Sequence, residues 1–392
     1  MGDSLNIENK NKIRESNFEL LRIVAMFIII MSHCDEIFGL STLYMNTLGA
    51  NKIITDLLHI GGQIGVGCFL LISAYFLVDQ KFSLKRLLRV IGEVLFYNIT
   101  IYLIWLIKHS INGDLVKNIA IEKAVYSFLP ITFTQYWFVT AYIILIILAP
   151  FLNKLIDALS KKDFQILLAI LIVVFVILGG AFPKGKFITT KVMNGMFDGR
   201  IYPVFIYYFI GAYIKRFRTE RKNNAWVHLI ISLIAYLLLF GVCYLMTYIG
   251  IKENNKTALN NMYFYRNLNS PFVVIICIEL FLCFLEIKIK PNKFINIIAS
   301  STFGIYLIHN NRIMLAEVLP RIFPIYKVTN SLIIFAYSIA AVLTIFITCC
   351  LIDLLRKYII AKPLNKVTDK LLPKLEMKFK AFCNAHSKKT NQ

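Results

Sequence analysis

The chain has 392 residues, 58% of them hydrophobic and 17% charged, with a mean hydropathy of +0.67. A soluble globule needs more polar surface than that to cover its core, so a soluble domain is excluded and the membrane span becomes the unit of organisation. The 43 Lys and Arg against 22 Asp and Glu give +21, which in a soluble protein would point to nucleic acid; in a polytopic chain such an excess reports topology, and no nucleic-acid partner is expected.

Apolar windows of roughly span length run through the chain at 19–39, 57–78, 90–107, 136–153, 164–182, 201–214, 226–249, 271–287, 299–319 and 332–355. They predict an all-α polytopic membrane protein of about ten transmembrane helices with both termini cytoplasmic. The organisation expected is a cytoplasmic segment 1–17, a transmembrane domain 18–355 and a basic cytoplasmic tail 356–392. The first window is too long for a signal-peptide core and is followed by no small-x-small cleavage site, so a retained helix is expected. The 201–214 window is short and the 299–319 window carries polar residues; each is expected to be tilted, broken or re-entrant where protein rather than lipid surrounds it.

With the N-terminus inside, the inner loops 79–89, 154–162, 215–225 and 286–298 carry 15 basic residues over 44 positions, against 13 over 96 in the outer segments. That asymmetry obeys the positive-inside rule. The tail from Arg356 to Lys389 reads as a solvated charge run, long enough for an amphipathic stretch along the anionic inner leaflet. Eight cysteines (34, 68, 243, 277, 283, 349, 350 and 383) sit mostly inside apolar runs and read as small hydrophobes, with neither zinc-site spacing nor disulfide density; no metal site is expected.

Ionisable side chains inside spans cost at least about 2.5–3.5 kcal/mol on insertion scales, which makes each a functional candidate. Arg22 and His33 in the first window are eleven residues apart, three helical turns plus about 20°, so they share a face with a rise of roughly 16 Å. Arg22, with Glu19 in pairing range at i−3, is either a snorkelling anchor or a functional cation. His33 is either an interhelical hydrogen-bond partner or a general base poised near neutral pH. Asp35 and Glu36 follow it as outer-mouth residues, badly placed on the same helix to orient its ring.

In the second window, Gly61, Gly62, Gly65 and Gly67 leave room for close helix packing or for a ligand lying on backbone, and Ser73 can donate into the same space. KFSLKRLLRV then clusters Lys85, Arg86 and Arg89 at an inner helix start, suited either to clamping phosphates or to anchoring on anionic lipid. Late in the chain Glu279 sits mid-window, and STFGIYLIHNNRIML puts His309 and Arg312 on one face. A charge pair of Glu279 with Arg312 or His309 is the expectation, structural rather than catalytic. Tyr126, Tyr136, Trp137, Tyr263 and Tyr265 fall in outer segments as an interfacial aromatic belt or as platforms for sugar rings.

These motifs, in this order, resemble the membrane acyltransferase-3 family. Its first helix has Arg, ten residues, then His, matched by Arg22 and His33; its second has Gly-x-x-Gly-Val leading to a Ser-Gly-Tyr-like end, matched by GQIGVGCFLLISAY from Gly62 to Tyr75. A basic stretch into the third helix is matched by Lys85, Arg86 and Arg89, a late Tyr-Leu-x-His by Tyr306 and His309, and the fourth-helix region by WFVTAYIILIILAPFLN with Trp137, Tyr142 and Pro150. The likeness runs over roughly residues 17–355. The chain departs from it at Ala74, where the family often has Gly, and after Arg89, where many members have proline.

The resemblance implies a multi-pass enzyme of the bacterial cytoplasmic membrane that moves an acyl group, usually acetyl, from cytoplasmic acetyl-CoA to a cell-surface glycan. Catalysis would rest on His33 and Arg22, with His33 either a general base or a transient acyl carrier. Donor contacts would come from Lys85, Arg86, Arg89, Gly62, Gly65 and Ser73, with the pantetheine arm threading the glycine-lined gap between the first two helices. Trp137, Tyr142, Glu279, His309 and Arg312 form the remaining polar and aromatic set for substrate or structure. Only a short basic tail follows residue 355, so a surface polysaccharide or its lipid-linked precursor is the expected acceptor, ahead of peptidoglycan with a separate partner transferase. A transporter is the competing class, but no convincing internal repeat supports it.

Overall fold

A computed structural model of the chain describes residues 14–40, 44, 47–133, 136–182, 202–218, 224–324 and 331–363. The tail expected to be solvated, from 364 onward, and residues 219–222 of the basic KRFRTERK run lie outside the described residues. Among those described, all regular structure is helical.

The first helix, α1 (Ser16–Phe38), crosses a run free of Pro and Gly until Gly39, whose φ of +62° supplies the left-handed residue that ends it. α2 (Ala50–His59) and α3 (Gly62–Leu77) form one apolar stretch broken only at Ile60–Gly61. α4 (Leu84–Asn112) starts at Ser83, whose hydroxyl accepts from the Arg86 amide, and α5 (Lys117–Phe128) follows. Then come α6 (Trp137–Ala158), α7 (Lys161–Leu171), which widens to a π-helix over Ile172–Leu178, and α8 (Tyr202–Phe217). Next are α9 (Ala225–Lys252), α10 (Lys256–Tyr265) and α11 (Pro271–Glu286). The last are α12 (Lys293–Ser300), α13 (Thr302–His309), the short α14 (Leu319–Ile322) and α15 (Ser331–Arg356).

Six stretches among the described residues are long and apolar enough to cross a membrane: Ser16–Cys34, Ala50–Leu77, Leu84–Asn112, Trp137–Ala158, Ala225–Lys252 and Ile333–Ala361. The other four expected windows are shorter or interrupted helices. α13 is almost wholly and α8 mostly buried in protein, which satisfies their backbone without a lipid-matched length. The polar 299–319 window breaks at Ser301 and again after His309. Lipid-facing helices show the opposite pattern: on α9, Val227, Ile230, Leu233, Ile234, Leu237 and Leu238 are exposed, an apolar surface no aqueous protein would leave bare.

Polar ties mark two faces of the bundle. On the proximal face, where α1 begins, the Ser16 hydroxyl bonds Asn296 and the Asn292 amide, Asn17 donates to the Phe284 carbonyl, and Arg218 bonds Glu286. There too Asp353 accepts from Tyr97 at 2.7 Å and pairs with Arg356 and Lys357, so α15 runs on past residue 355 into the packed bundle. On the opposite, distal face, Asp56 lies between Lys52 at 3.0 Å and Arg266 at 2.9 Å, binding α2 to the end of α10. Glu279 does not pair with Arg312 or His309 as expected from the sequence. It bonds His228 of α9 at 2.6 Å, because α11 lies against α9 rather than against α13.

Candidate functional site

α1 is a central helix, packed against α2, α3, α11, α12, α13 and α15, and its polar stripe borders the interior of the bundle. His33, half-buried near the distal end of α1, meets the fully buried His309 at the end of α13, with 3.0 Å between His33 Nδ1 and His309 Nε2. His309 Nδ1 lies 2.7 Å from the Ile305 carbonyl. A carbonyl only accepts, so His309 Nδ1 carries a proton, and in the neutral ring Nε2 is the acceptor. It follows that His33 donates from Nδ1, and its Nε2 keeps the free lone pair. The two histidines, 276 positions apart, together present one basic nitrogen of defined tautomer.

The segment carrying His309 is held firmly. Tyr136 donates to the Leu307 carbonyl at 2.8 Å, and the Asn311 amide donates to both Tyr136 and Asn98 at 3.2 Å while accepting from the Ile313 amide. Tyr136, Asn98 and Asn311 are all buried.

A cavity of about 270 Å³ leads from the proximal face towards this pair. Arg14 and Arg22 stand at its start, and Met26 and Ile29 continue the stripe along α1, ending one turn short of His33. The facing wall is Val66, Phe69 and Ser73 of α3, one face at helical spacing, and Phe138 and Tyr142 of α6, Phe303 and Tyr306 of α13 and Val90 of α4 complete it. Arg22 is bonded to Glu19 at 3.0 Å, as its spacing predicts, and Glu19 also lies 3.7 Å from Arg14.

The glycines do not line this space. A Cβ on Gly62 would strike Ser32, and one on Gly65 would strike the Ala25 carbonyl and Ile29, so both positions let α3 sit directly on α1. At the glycines the gap expected between the first two helices is closed, and the cavity opens beside that contact, walled by α1 and α3 together with α6 and α13. Lys85, Arg86 and Arg89 line neither this cavity nor the two further spaces described below. Trp137 stands at the distal start of α6, edge-on to Phe138.

A second cavity, about 510 Å³, adjoins the first at Arg14 and is bounded by the start of α1 and the Ile287–Pro291 segment. On the distal side, a small one of about 110 Å³ is lined by Arg312, Tyr126, Ser127, Lys123 and Glu122, with the Arg312 guanidinium 4.2 Å from the Tyr126 ring centre. Arg312 follows His309 by three residues, so the histidine pair lies between a proximal cavity and a distal one. Sequence reasoning missed Arg14, Ser300 and Thr302 in the cavity wall and His228 as the partner of Glu279. The two ionisable members were detectable as a cation and an imidazole near window edges, whereas the serine and threonine carry no signal outside the folded structure. Among the described residues no group of three or more His, Cys, Asp or Glu side chains could hold a metal ion.

A family model described as an acyltransferase domain, of the acyltransferase-3 type, matches residues 15–354. No curated protein and no solved structure matches the chain.

Proposed function

The chain belongs to the acyltransferase-3 family and is a membrane acyltransferase, and from that premise we propose that it moves an acetyl group from cytoplasmic acetyl-CoA to a hydroxyl of a surface polysaccharide or its lipid-linked precursor, in the cytoplasmic membrane of a bacterium. The proposal includes about ten crossings with the proximal face cytoplasmic, counting α7 with its π-helical extension, α8, α11 and the broken α12–α13 as traverses beside the six long spans.

The observation that carries the reading is the alignment of a cation-headed cavity with a histidine of fixed tautomer. The cavity suits a long, thin donor: two arginines at its start meet anionic groups, and its walls of Met26, Ile29, Val66, Phe69 and Phe138 suit an uncharged arm. The thioester supplies the acetyl group. His33 Nε2 accepts the proton of the acceptor hydroxyl as that oxygen bonds the acetyl carbon and the C–S bond breaks, then returns the proton to the leaving sulfur. While His33 is protonated, its Nδ1–H bond to His309 becomes charge-assisted, which favours the general-base role. Arg312 and Tyr126 in the distal cavity would receive the acceptor, the ring by stacking and the guanidinium by bonding sugar oxygens.

The test is chemical analysis of the surface polysaccharide in a strain lacking the gene. Loss of O-acetyl groups with the sugar backbone intact is expected; an unaltered O-acetyl content would contradict the acceptor assignment.

A further inference from the structure

We propose that the nucleotide phosphates of the donor bind in the second proximal cavity, on Arg14, Lys288 and Lys290, and not on the Lys85–Arg89 cluster; this rests on acetyl-CoA being the donor. The first observation is continuity. Arg14 lines both proximal cavities, so an arm occupying the first emerges directly into the second.

The second is charge. Arg14, Lys288 and Lys290 line this space against the single carboxylate of Glu15. Lys288 and Lys290 lie in a non-helical stretch between α11 and α12, where residues two apart share a face. Both lysines are exposed, while Ile287 and Ile289, which alternate with them, are half-buried against the bundle, and neither lysine has a carboxylate partner among the described residues. The third is rigidity. Ser16 bonds both Asn292 and Asn296, and Asn17 bonds the Phe284 carbonyl, so this stretch is pinned to the start of α1 from both ends and the two lysines keep a fixed relation to Arg14. Phosphate clamps of this kind work as preformed, charge-assisted donors.

The experiment measures binding of acetyl-CoA, acetyl-dephospho-CoA and acetylpantetheine to the purified full-length protein in detergent. The unaltered protein is expected to prefer acetyl-CoA over acetylpantetheine by at least about tenfold. Lys288→Glu with Lys290→Glu is expected to remove that preference while leaving acetylpantetheine binding, which also reports folding, unchanged. Replacement of Lys85, Arg86 and Arg89 by Ala is expected to keep it. An unchanged preference in the Lys288/Lys290 variant, or its loss in the Lys85/Arg86/Arg89 variant, would overturn the assignment while leaving the donor in place. Failure of the unaltered protein to bind acetyl-CoA would overturn the donor reading and this assignment together.

Discussion

In the proposed reaction the chemistry at His33 turns on which ring nitrogen is free, and that is decided by His309, 276 residues away. The Ile305 carbonyl fixes the His309 proton, His309 fixes the His33 proton, and Nε2 of His33 is left as the base. Under the proposed mechanism His309 is thus a positioning residue. His309→Ala is expected to lower kcat by about 10²-fold with KM for acetyl-CoA little changed. His309→Gln, whose side-chain carbonyl still accepts from His33, should recover part of that loss; equal kcat values for the two variants in a radiolabelled acetyl-transfer assay would contradict the tautomer argument. In the sequence, Arg22 and His33 stand out because both are ionisable inside one apolar window. Their cross-helix partners do not. Spacing relates residues on one helix only, which is why Glu279 was matched with His309 and Arg312 instead of with His228 of α9.

At the scale of elements, the α1–α3 seam decides where the cavity lies. Gly65 meets the Ala25 carbonyl and Ile29, so Gly65→Val forces the two helices apart and is expected to cost about 1–3 kcal/mol. Gly92 of α4 has nothing within 4 Å of an added Cβ, and Gly92→Ala should instead stabilise by about 0.5–1 kcal/mol. Melting of both variants in detergent checks the pair, and a lower Tm for Gly92→Ala would contradict the packing described. The long apolar helices were legible because backbone in lipid leaves the chain little choice but a helix. The break within 299–319 was legible from its polar residues. Where beside the α1–α3 contact the space opens was not, since four glycines in one turn-and-a-half of sequence suit a ligand and a neighbouring helix equally well, and only the position of α1 separates the two.

Over the whole molecule, the excess of +21 is not spread evenly through the bundle. Buried carboxylates tie cations into both faces, Asp353 with Arg356 and Lys357 proximally and Asp56 with Lys52 and Arg266 distally. Asp353→Ala would leave two cations and the Tyr97 hydroxyl without their shared partner, and is expected to cost about 3–5 kcal/mol, read as a large fall in Tm. An unchanged Tm would show that the network is dispensable. Asp353 was an ionisable group inside an apolar window and detectable on that ground, but closing the window at 355 assigned Arg356 and Lys357 to the tail and hid their role. Arg14, Arg22, Lys288 and Lys290 gather at the proximal cavities, the two arginines beside Glu19, and under the proposed function these are the cations that would meet an anionic donor.

The most direct measurement is the O-acetyl content of the surface polysaccharide, by proton NMR, in a strain whose only copy of the protein carries His33→Ala and is present in the membrane at the normal level. Loss of the acetyl signal is the predicted result. A full acetyl signal would contradict catalysis at His33 and the alignment of cavity and histidine pair on which it rests.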